Sequence, residues 1–298
     1  MPSTLDIRRR IRSVKNTSQI TRAMQMVAAA KMRKAQAAAI AGRPYEEALD
    51  RVLSALAGHV DPIEHPLFQR REVKRELIIL ITTDKGLCGA LNTNLFRELA
   101  NTQPTQTEFF GIGRKGNQFL ARTRRSLVAD FPVSETPLFK EIRPIARLAV
   151  ERFLAEEVDR VSVLYSRFVN TLNQVPTFRR LLPLSTDLPE SKASGSAEAA
   201  SDKSDTPSGK AIPGGFLFEP SERAVLDTVV PHYISYQLFK TVLDARASEH
   251  SSRMVAMKNA TDNAKELVKH LTLEYNKIRQ ASITTELIEI TTAQLAIE

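Results

Sequence analysis

The sequence is poor in several features that mark particular classes of protein. Its single cysteine, Cys88, excludes an intrachain disulfide bond, and nothing implies an oxidising compartment. No run of about 18 apolar residues occurs, which predicts that no helix spans a membrane. The first residues, "MPSTLDIRRR", lack the apolar core of a secretion signal. The five histidines are scattered, with no metal-ligand spacing to Cys88 or to the acids.

Acidic residues are nearly absent from the start of the chain. The 298 residues carry a net charge of +8, and the excess is uneven. Asp6 is the one acid among the first 34 residues, which also hold nine basic side chains: Arg8, Arg9, Arg10, Arg12, Lys15, Arg22, Lys31, Arg33 and Lys34. Such a segment favours an acidic partner, which is nucleic acid, anionic lipid or an acidic protein surface. The alternative is a solvated basic face.

Helix-breaking residues are rare at both ends of the chain. Residues 4–57 read as helix with one interruption at "GRPY", residues 42–45. Residues 221–297 contain no glycine and a single proline, Pro231. The pattern therefore predicts two helical regions that are long for a globular protein.

Each terminal helix carries a track of residues near a repeat of 3.5, mostly small or apolar, with polar residues as weak spots. The N-terminal track is Ile7, Ile11, Val14, Ser18, Thr21, Gln25, Ala28, Met32, Ala35 and Ala39. The C-terminal track is Leu267, Leu271, Glu274, Ile278, Ala281, Thr285, Ile288, Thr292 and Leu295. The two tracks predict a long antiparallel α-helical coiled coil formed by the N- and C-terminal helices, which projects from a globular head.

The middle of the chain alternates between strand and helix patterns, which indicates an α/β head with a partly parallel sheet. Residues 185–215 lack aromatic residues and are rich in Ser, Ala, Asp, Lys, Gly and Pro, which predicts a flexible surface loop. The predicted strands are 76–83, 107–112, 160–169, 174–184 and an edge strand at 216–220. The predicted helices are 92–101, 117–125 and 144–159, the last with Pro144 in its first turn.

The stretch "GIGRKG", residues 111–116, matches the dinucleotide-binding pattern G-x-G-x-x-G between a strand and a helix. Three features argue against a nucleotide site. The pattern lies in the second strand–helix unit, Arg114 and Lys115 are bulky for a pyrophosphate turn, and Asp130 lies next to a Phe-Pro pair. We therefore favour a glycine-rich structural turn over NAD binding.

The stretch "TTDKGLCGALN", residues 82–92, also follows a strand and opens a helix. Its glycines permit close backbone approach, and a helix start can bind an anion, but the chain contains no P-loop spacing. Asp84 and Lys85 fit a turn-stabilising acid and a solvated base better than a catalytic pair. No nucleophile–base set stands out, so the residues do not predict a catalyst.

Five long stretches, in this order, carry a resemblance that covers nearly the whole chain: "IRSVKNTSQITRAMQMVAAAKMRKAQ", "TTDKGLCGALN", "FVNTLNQVPTFRRLLPL", "ASEHSSRMVAMKNATDNAKEL" and "YNKIRQASITTELIEI". Together they resemble the gamma subunit of the F-type ATP synthase. Residues 185–215 look like an insertion relative to that family. Ala293 and Gln294 stand where the family commonly has a Gly-Ala pair.

The resemblance implies three domains: an N-terminal coiled-coil helix (1–60), a Rossmann-like α/β head (75–220) and a C-terminal coiled-coil helix (221–298). It implies a non-catalytic central rotor stalk that carries torque between the c-ring and the catalytic ring, on the cytoplasmic face of a bacterial inner membrane. Its implied partners are the alpha, beta, epsilon and delta subunits and the c-ring. No cofactor, metal, nucleic acid or small-molecule substrate is implied.

The resemblance also implies a set of residues that contact the beta subunit: Met24, Lys31, Arg33, Arg279, Gln280, Thr284 and Glu286. The first three would face the acidic lever of beta, and Arg279 and Gln280 would engage its catch loop. For Met24, packing in the coiled-coil seam is the competing interpretation. The alternative for the whole chain is a basic coiled-coil protein that binds nucleic acid or a membrane surface, whose binding would be salt-sensitive.

Overall fold

A computed structural model gives the fold over residues 4–57, 65–100, 107–184, 219 and 221–295. The predicted loop at 185–215 lies outside these residues, as does all of the predicted strand 216–220 except Glu219. In chain order the elements are α1 (Thr4–Ala41), α2 (Arg43–Ala57), a 3-10 turn (Pro66–Phe68), β1 (Glu76–Ile81), α3 (Leu91–Ala100), β2 (Thr107–Ile112), α4 (Arg114–Arg122), β3 (Ser126–Phe131), α5 (Phe139–Leu154), β4 (Arg160–Phe168), β5 (Gln174–Leu182) and α6 (Glu222–Leu295).

The head is built on a five-stranded sheet in the order β3-β2-β1-β4-β5. The β1–β2, β1–β4 and β2–β3 pairs are parallel, whereas β4 and β5 form an antiparallel edge. β1 lies at the centre, and its residues from Leu77 to Leu80 are completely buried. This position explains its continuous apolar sequence, because a central strand of a parallel sheet has both faces covered.

Helices cover both faces of this sheet. Leu77, Ile79 and Ile81 point into a core that includes buried residues of α5 and of the first half of α6. Ile78 and Leu80 point into a second core that includes buried residues of α3 and α4. Because successive side chains of a strand point to opposite faces, one short strand anchors both layers.

The long terminal helices pack against each other in antiparallel orientation, as predicted. The Thr21 and Thr261 hydroxyls lie 2.7 Å apart, and the Tyr236 hydroxyl donates to the Gly42 carbonyl at 2.6 Å. Gly42 is the break between α1 and α2, and a Cβ there would lie 2.5 Å from the Tyr236 hydroxyl. The interruption predicted at residues 42–45 is therefore confined to one residue.

The seam of α1 follows the predicted track, with Ile7, Thr21, Ala28 and Met32 buried. On α6 the prediction was wrong by one residue at two positions, because Leu267 and Glu274 are exposed while their neighbours Val268 and Tyr275 are partly buried. The observed seam alternates in steps of four and three residues: Met257, Thr261, Ala264, Val268, Leu271, Tyr275 and Ile278.

The predicted seam also ends early. Ala281, Thr285, Ile288 and Thr292 are exposed, because α1 begins at Thr4 and offers no partner beyond Ile278. The side chain of Leu295 lies outside the described ones. At 1.5 Å per residue, the 74 residues of α6 span about 110 Å, so its last turns extend well past the paired region.

Three local predictions need correction. α5 begins at Phe139 and not near residue 144, so Pro144 lies inside the helix; the Glu141 carboxylate accepts the Leu138 N–H and caps the earlier start. α4 begins one turn earlier than predicted, directly after Gly113. β3 was missed, because an edge strand with alternating exposed residues and an Ala-Asp pair lacks a continuous apolar run.

Candidate functional site

The glycine-rich turn at residues 111–116 is filled by the chain itself. Three successive N–H groups at the start of α4 donate to the loop after β1: Arg114 to Asp84 Oδ1 (3.1 Å), Lys115 to the Thr83 carbonyl (3.1 Å) and Gly116 to Thr82 Oγ1 (2.8 Å). A dinucleotide pyrophosphate needs the donors of such a helix start. In this chain the same donors bond to the loop after β1 and hold α4 against that strand.

The same turn leaves no space for a ligand at its glycines. Gly113 has a φ of 102°, and a Cβ on it would lie 2.3 Å from the Thr82 carbonyl oxygen. Asp130, the acid that matched the ribose position of the fingerprint, accepts a hydrogen bond from Asn117 Nδ2 at 2.5 Å. The geometry therefore agrees with the structural turn that the sequence favoured.

The loop at residues 82–92 holds α6. The Ser252 hydroxyl donates to the Cys88 carbonyl at 2.6 Å, and Arg253 Nη2 lies 3.4 Å from the carbonyls of Lys85 and Gly86. Cys88 is buried, and burial raises the pKa of its thiol, so it is a packing residue and a poor nucleophile.

Every residue of α6 from Ala245 to Ser251 is buried, including three ionisable side chains. Arg246 Nη1 donates to Glu249 Oε2 at 2.8 Å, and Arg253 Nη2 donates to Glu249 Oε1 at 2.8 Å. Burial lowers the pKa of His250, which favours its neutral form. Charged side chains are rarely buried unless they are paired. The pairs that Glu249 forms with Arg246 and Arg253 therefore make specific polar contacts inside the fold.

The C-terminal end of α6, from Arg279 to Thr292, packs on no other element among the described residues, and we call it the bare tip. All side chains from Arg279 to Thr292 are exposed, including four large apolar residues: Ile283 (49%), Leu287 (58%), Ile288 (56%) and Ile290 (59%). On α1, Ile20 and Met26 also face outward, at 60% and 62%. Clustered exposed apolar groups, such as those at the end of α6, mark surfaces that meet another molecule.

The seven residues predicted to contact a partner fall into two groups. Met24 is partly buried in the paired coil, and Lys31 forms an ion pair with Glu135 of the head at 2.5 Å. Arg33 is exposed. Lys31 therefore already has an internal partner, which holds the pKa of Glu135 below its usual range through hydrogen bonding and charge.

The C-terminal members of the set lie on the bare tip. Arg279, Gln280, Thr284 and Glu286 are all exposed. The Thr284 hydroxyl donates to the Gln280 carbonyl at 2.9 Å, and Glu286 accepts from the Ser282 hydroxyl at 3.2 Å. The prediction missed the exposed apolar residues Leu287 and Ile290, although both lie outside the seam track and this spacing already indicated an outward position.

The described residues hold no cluster of three or more His, Cys, Asp or Glu side chains that could bind a metal. Among the same residues, none of the helices is long and apolar enough to cross a membrane. An α/β head, a long antiparallel pair of helices that projects from it and an exposed tip of α6 together define the architecture of a stalk-type subunit.

Comparison with known proteins identifies the particular family. A family model described as ATP synthase matches residues 3–297. The ATP synthase gamma chain of Opitutus terrae is 50% identical over 99% of both chains, and that of Akkermansia muciniphila is 48% identical over the full length of both. The chain belongs to the family of ATP synthase gamma chains, which are non-catalytic subunits of the complex.

Solved structures agree on the fold. A chain of the Euglena gracilis mitochondrial ATP synthase, from a structure of its OSCP, F1 and c-ring in rotational state 3, matches with a TM-score of 0.66 and 18% identity. The match covers 99% of this chain and 94% of the other. A chain from a structure of the rotor of the same enzyme matches with a TM-score of 0.64 and 22% identity over 94% and 98%. The fold is thus shared with chains of these ATP synthase structures.

Proposed function

We propose that the α1–α6 pair turns as a shaft inside the ring of alpha and beta subunits of an F-type ATP synthase. The bare tip of α6 from Arg279 to Thr292 carries this proposal. A single helix with exposed Leu287, Ile288 and Ile290 has no partner within the described part of the chain, and a surrounding ring would cover it.

The head, in this proposal, stands at the membrane side against the epsilon subunit and the c-ring, on the cytoplasmic face of a bacterial inner membrane, and the delta subunit is a further partner of the chain. Ion flow turns the c-ring, the head follows, and the coil carries the rotation to the catalytic sites of the ring. The chain itself makes and breaks no bond. Its task is to transmit torque through packing and charge.

The surface of the coil suits rotation within a sleeve. Each fully buried large side chain contributes roughly 1.5–3 kcal/mol, so deep contacts at one angle would stall a shaft. α1 instead presents exposed arginines along its N-terminal turns, such as Arg8, Arg9 and Arg12. Charge attraction changes gradually with distance and angle, so a basic face guides the shaft without trapping it.

Within the predicted contact set, the exposed members are the strongest candidates for the beta subunit. We assign the catch-loop contact to Arg279 and Gln280, with Thr284 and Glu286 beside them. We assign the lever contact to Arg33, Lys31 and Met24. Lys31 would share its ammonium group between Glu135 and beta, and Met24 would contribute only its exposed edge.

The experiment measures ATP-driven proton pumping by the complete complex in reconstituted membranes. One variant lacks residues 285–298, and a second carries Arg279→Ala with Gln280→Ala. Arg147→Ala is the control, because Arg147 is an exposed arginine of the head whose ion pair with Glu151 stays within α5.

We expect both test variants to lose pumping per ATP hydrolysed, and the control to pump normally. Normal pumping and assembly by both variants would reject the site assignment. Salt-sensitive binding of the chain to DNA or anionic vesicles, without co-purification of ATP synthase subunits, would instead support the nucleic-acid or membrane-surface alternative.

A further inference from the structure

The sheet of the head has the topology that makes a ligand crevice. From β1 the chain crosses through α3 to β2 on one side, and later through α5 to β4 on the other side. The strand order therefore reverses between β1 and β4, and open α/β sheets bind ligands at the carboxyl ends of the strands at such a point.

In this chain α6 crosses that crevice. Arg246 and Glu249 of α6 line it together with Thr83, Asn92 and Ser166. The cavity that remains has about 10 Å³, which is room for about one water molecule. The position of a ligand is thus taken by two charged side chains of the long helix.

Arg246 ties α6 to two separate loops of the head. Its Nη2 lies 3.4 Å from Asp84 Oδ2, in the loop after β1, and donates to the Val133 carbonyl at 3.1 Å, in the loop after β3. Its Nη1 is held by Glu249. The side chains of Arg246 and Glu249 are only 5% and 8% exposed, so the bond between them is made away from water, where it is directional and costly to break; Asp84 is 37% exposed.

A second set of contacts lies one to two turns further along α6. The Ser252 hydroxyl donates to the Cys88 carbonyl, and Arg253 reaches the carbonyls of Lys85 and Gly86. On the other helix of the coil, Lys31 pairs with Glu135 of the loop after β3. Both helices are therefore bonded to the carboxyl edge of the sheet at one level.

This level is where the coil leaves the head. Residues 245–251 of α6 are buried on all sides, whereas beyond Met257 the buried positions recur only every third or fourth residue. Apolar packing resists separation but allows sliding, because it is non-directional. Hydrogen bonds and ion pairs of fixed geometry resist rotation as well.

We propose that this set of contacts, the head–shaft joint (Arg246, Glu249, Ser252 and Arg253 of α6 with Asp84 and the Val133 and Cys88 carbonyls), is the torque-bearing connection between head and coil. The proposal rests on the proposed rotor function and adds which residues prevent the head from turning relative to the shaft. The head thus binds α6 in the crevice at which related sheet topologies bind a ligand.

The test measures torsional stiffness in assembled complexes. The alpha and beta subunits are immobilised, the shaft is stalled, and a probe is attached to the head through Val128→Cys, since Val128 is exposed at 45% and Cys88 is buried. The variants are Asp84→Asn and Arg246→Met. Asp84→Asn keeps an oxygen that can accept the Arg114 N–H and removes only the charge that faces Arg246. Arg147→Met, which breaks an ion pair within α5, is the matched control.

We expect the angular variance of the probe to rise by about twofold or more in both variants, because each removes polar links that cross between elements. The variant with the lower torsional stiffness should also pump fewer protons per ATP. Hydrogen exchange of residues 246–253 in the complex separates a loosened joint, which speeds exchange there, from a misfolded head, which speeds exchange in β1 as well.

Wild-type stiffness in both variants, with a folded head, would overturn the joint while leaving the rotor function intact. In the same wild-type complexes with the shaft released, absence of ATP-driven turning of the probe would instead overturn the rotor function itself. The two failures are therefore distinguishable in one set of measurements.

Discussion

The head and the coil of this chain are stabilised in opposite ways. In the head, β1 is buried on both faces, and side chains such as Phe109, Phe110 and Phe153 are completely inaccessible. In the coil, one residue in three or four is buried, and the seam includes Ala28 and a Thr21–Thr261 pair. The head therefore depends on a close-packed interior to which the first half of α6 contributes, whereas the coil keeps a slender seam and an exposed outer surface suited to partners.

A second contrast lies within α6 itself. Its first half is surrounded by the head and α1, its middle packs on α1 alone, and its end from Arg279 onward packs on nothing within the described residues. One helix thus passes from core to seam to bare surface. Substitutions should have effects on stability that decline in this order, and the following predictions test that decline.

The largest effect is expected in the sheet. Phe110 is completely buried and packs edge-to-face on Phe131, with ring centroids 5.5 Å apart. Phe110→Ala should lower the free energy of unfolding by about 3–5 kcal/mol, because it removes a large buried ring and leaves a cavity. Urea unfolding of the full chain measures it. Val128→Ala on the exposed edge strand should stay within about 0.5 kcal/mol, and a cost equal to that of Phe110→Ala would contradict the contrast.

A smaller but clear cost is expected at the glycine-rich turn. Gly113→Ala places a Cβ against the Thr82 carbonyl at a positive φ of 102°, so we expect a loss of about 2–3 kcal/mol. Gly86→Ala is the matched control, since a Cβ there meets nothing within 4 Å. Thermal unfolding of the two variants should separate them clearly. Equal melting temperatures of the two variants would show that the loop after β1 shifts to accommodate the new Cβ without a loss of stability.

The third prediction concerns an acid where α6 faces the β4–β5 hairpin. Burial raises the pKa of Asp244 to about 6, against the opposing effects of the Phe168 N–H, which donates to it at 3.3 Å, and of Lys240, Arg167 and Arg179. The folded chain therefore holds this proton more tightly than the unfolded chain, whose value is 3.8. Protonated Asp244 therefore favours the folded chain. This contribution to stability is present below about pH 4 and is lost as the pH rises through about 6.

Asp244→Asn should therefore stabilise the chain at pH 8 and have little effect near pH 4. A rise in pKa from 3.8 to about 6 corresponds to roughly 3 kcal/mol, and partial solvent access reduces our expectation to about 1–2 kcal/mol. Denaturant midpoints across this pH range measure the gain. Asp262→Asn, on the exposed face of the coil, is the control substitution. A destabilised Asp244→Asn at pH 8 would mean that the nearby cations outweigh burial.

The elements that the sequence predicted well are those whose local pattern matches their final environment. β1 is apolar from Leu77 to Ile81 because both of its faces are covered, and the segment of α6 without glycine forms one continuous helix from Glu222 to Leu295. β3 was missed because an edge strand half exposed to solvent needs no apolar run. The seam of α6 was misplaced because Leu267 is apolar and yet faces outward at 48%.

The contacts of the candidate site were less predictable, since they join residues far apart in the chain. Lys31 looked like a partner-facing base, and nothing near it in sequence indicated Glu135, which lies 104 positions away. Arg246 and Glu249 are three residues apart on one helix, a spacing that is common for ion pairs on helix surfaces, and the sequence did not single them out. Only the topology of the sheet shows that they lie in its crevice. The bare tip at Arg279–Thr292, in contrast, follows from the different lengths of α1 and α6.

The smallest effect is expected in the coil seam, where a double-mutant cycle of Thr21→Val and Thr261→Val sharpens the contrast with the head. Each hydroxyl has an acceptor in its own helix, the Ser18 carbonyl at 3.1 Å and the Met257 carbonyl at 2.8 Å. A single substitution therefore strands no buried donor, and each should cost no more than about 1 kcal/mol, with a coupling energy below about 1 kcal/mol. Unfolding of the full chain followed by the helical signal measures all four corners of the cycle. A coupling of about 2 kcal/mol or more would mean that this polar pair sets the register of the two helices, and that the coil, like the head, depends on a specific interior contact.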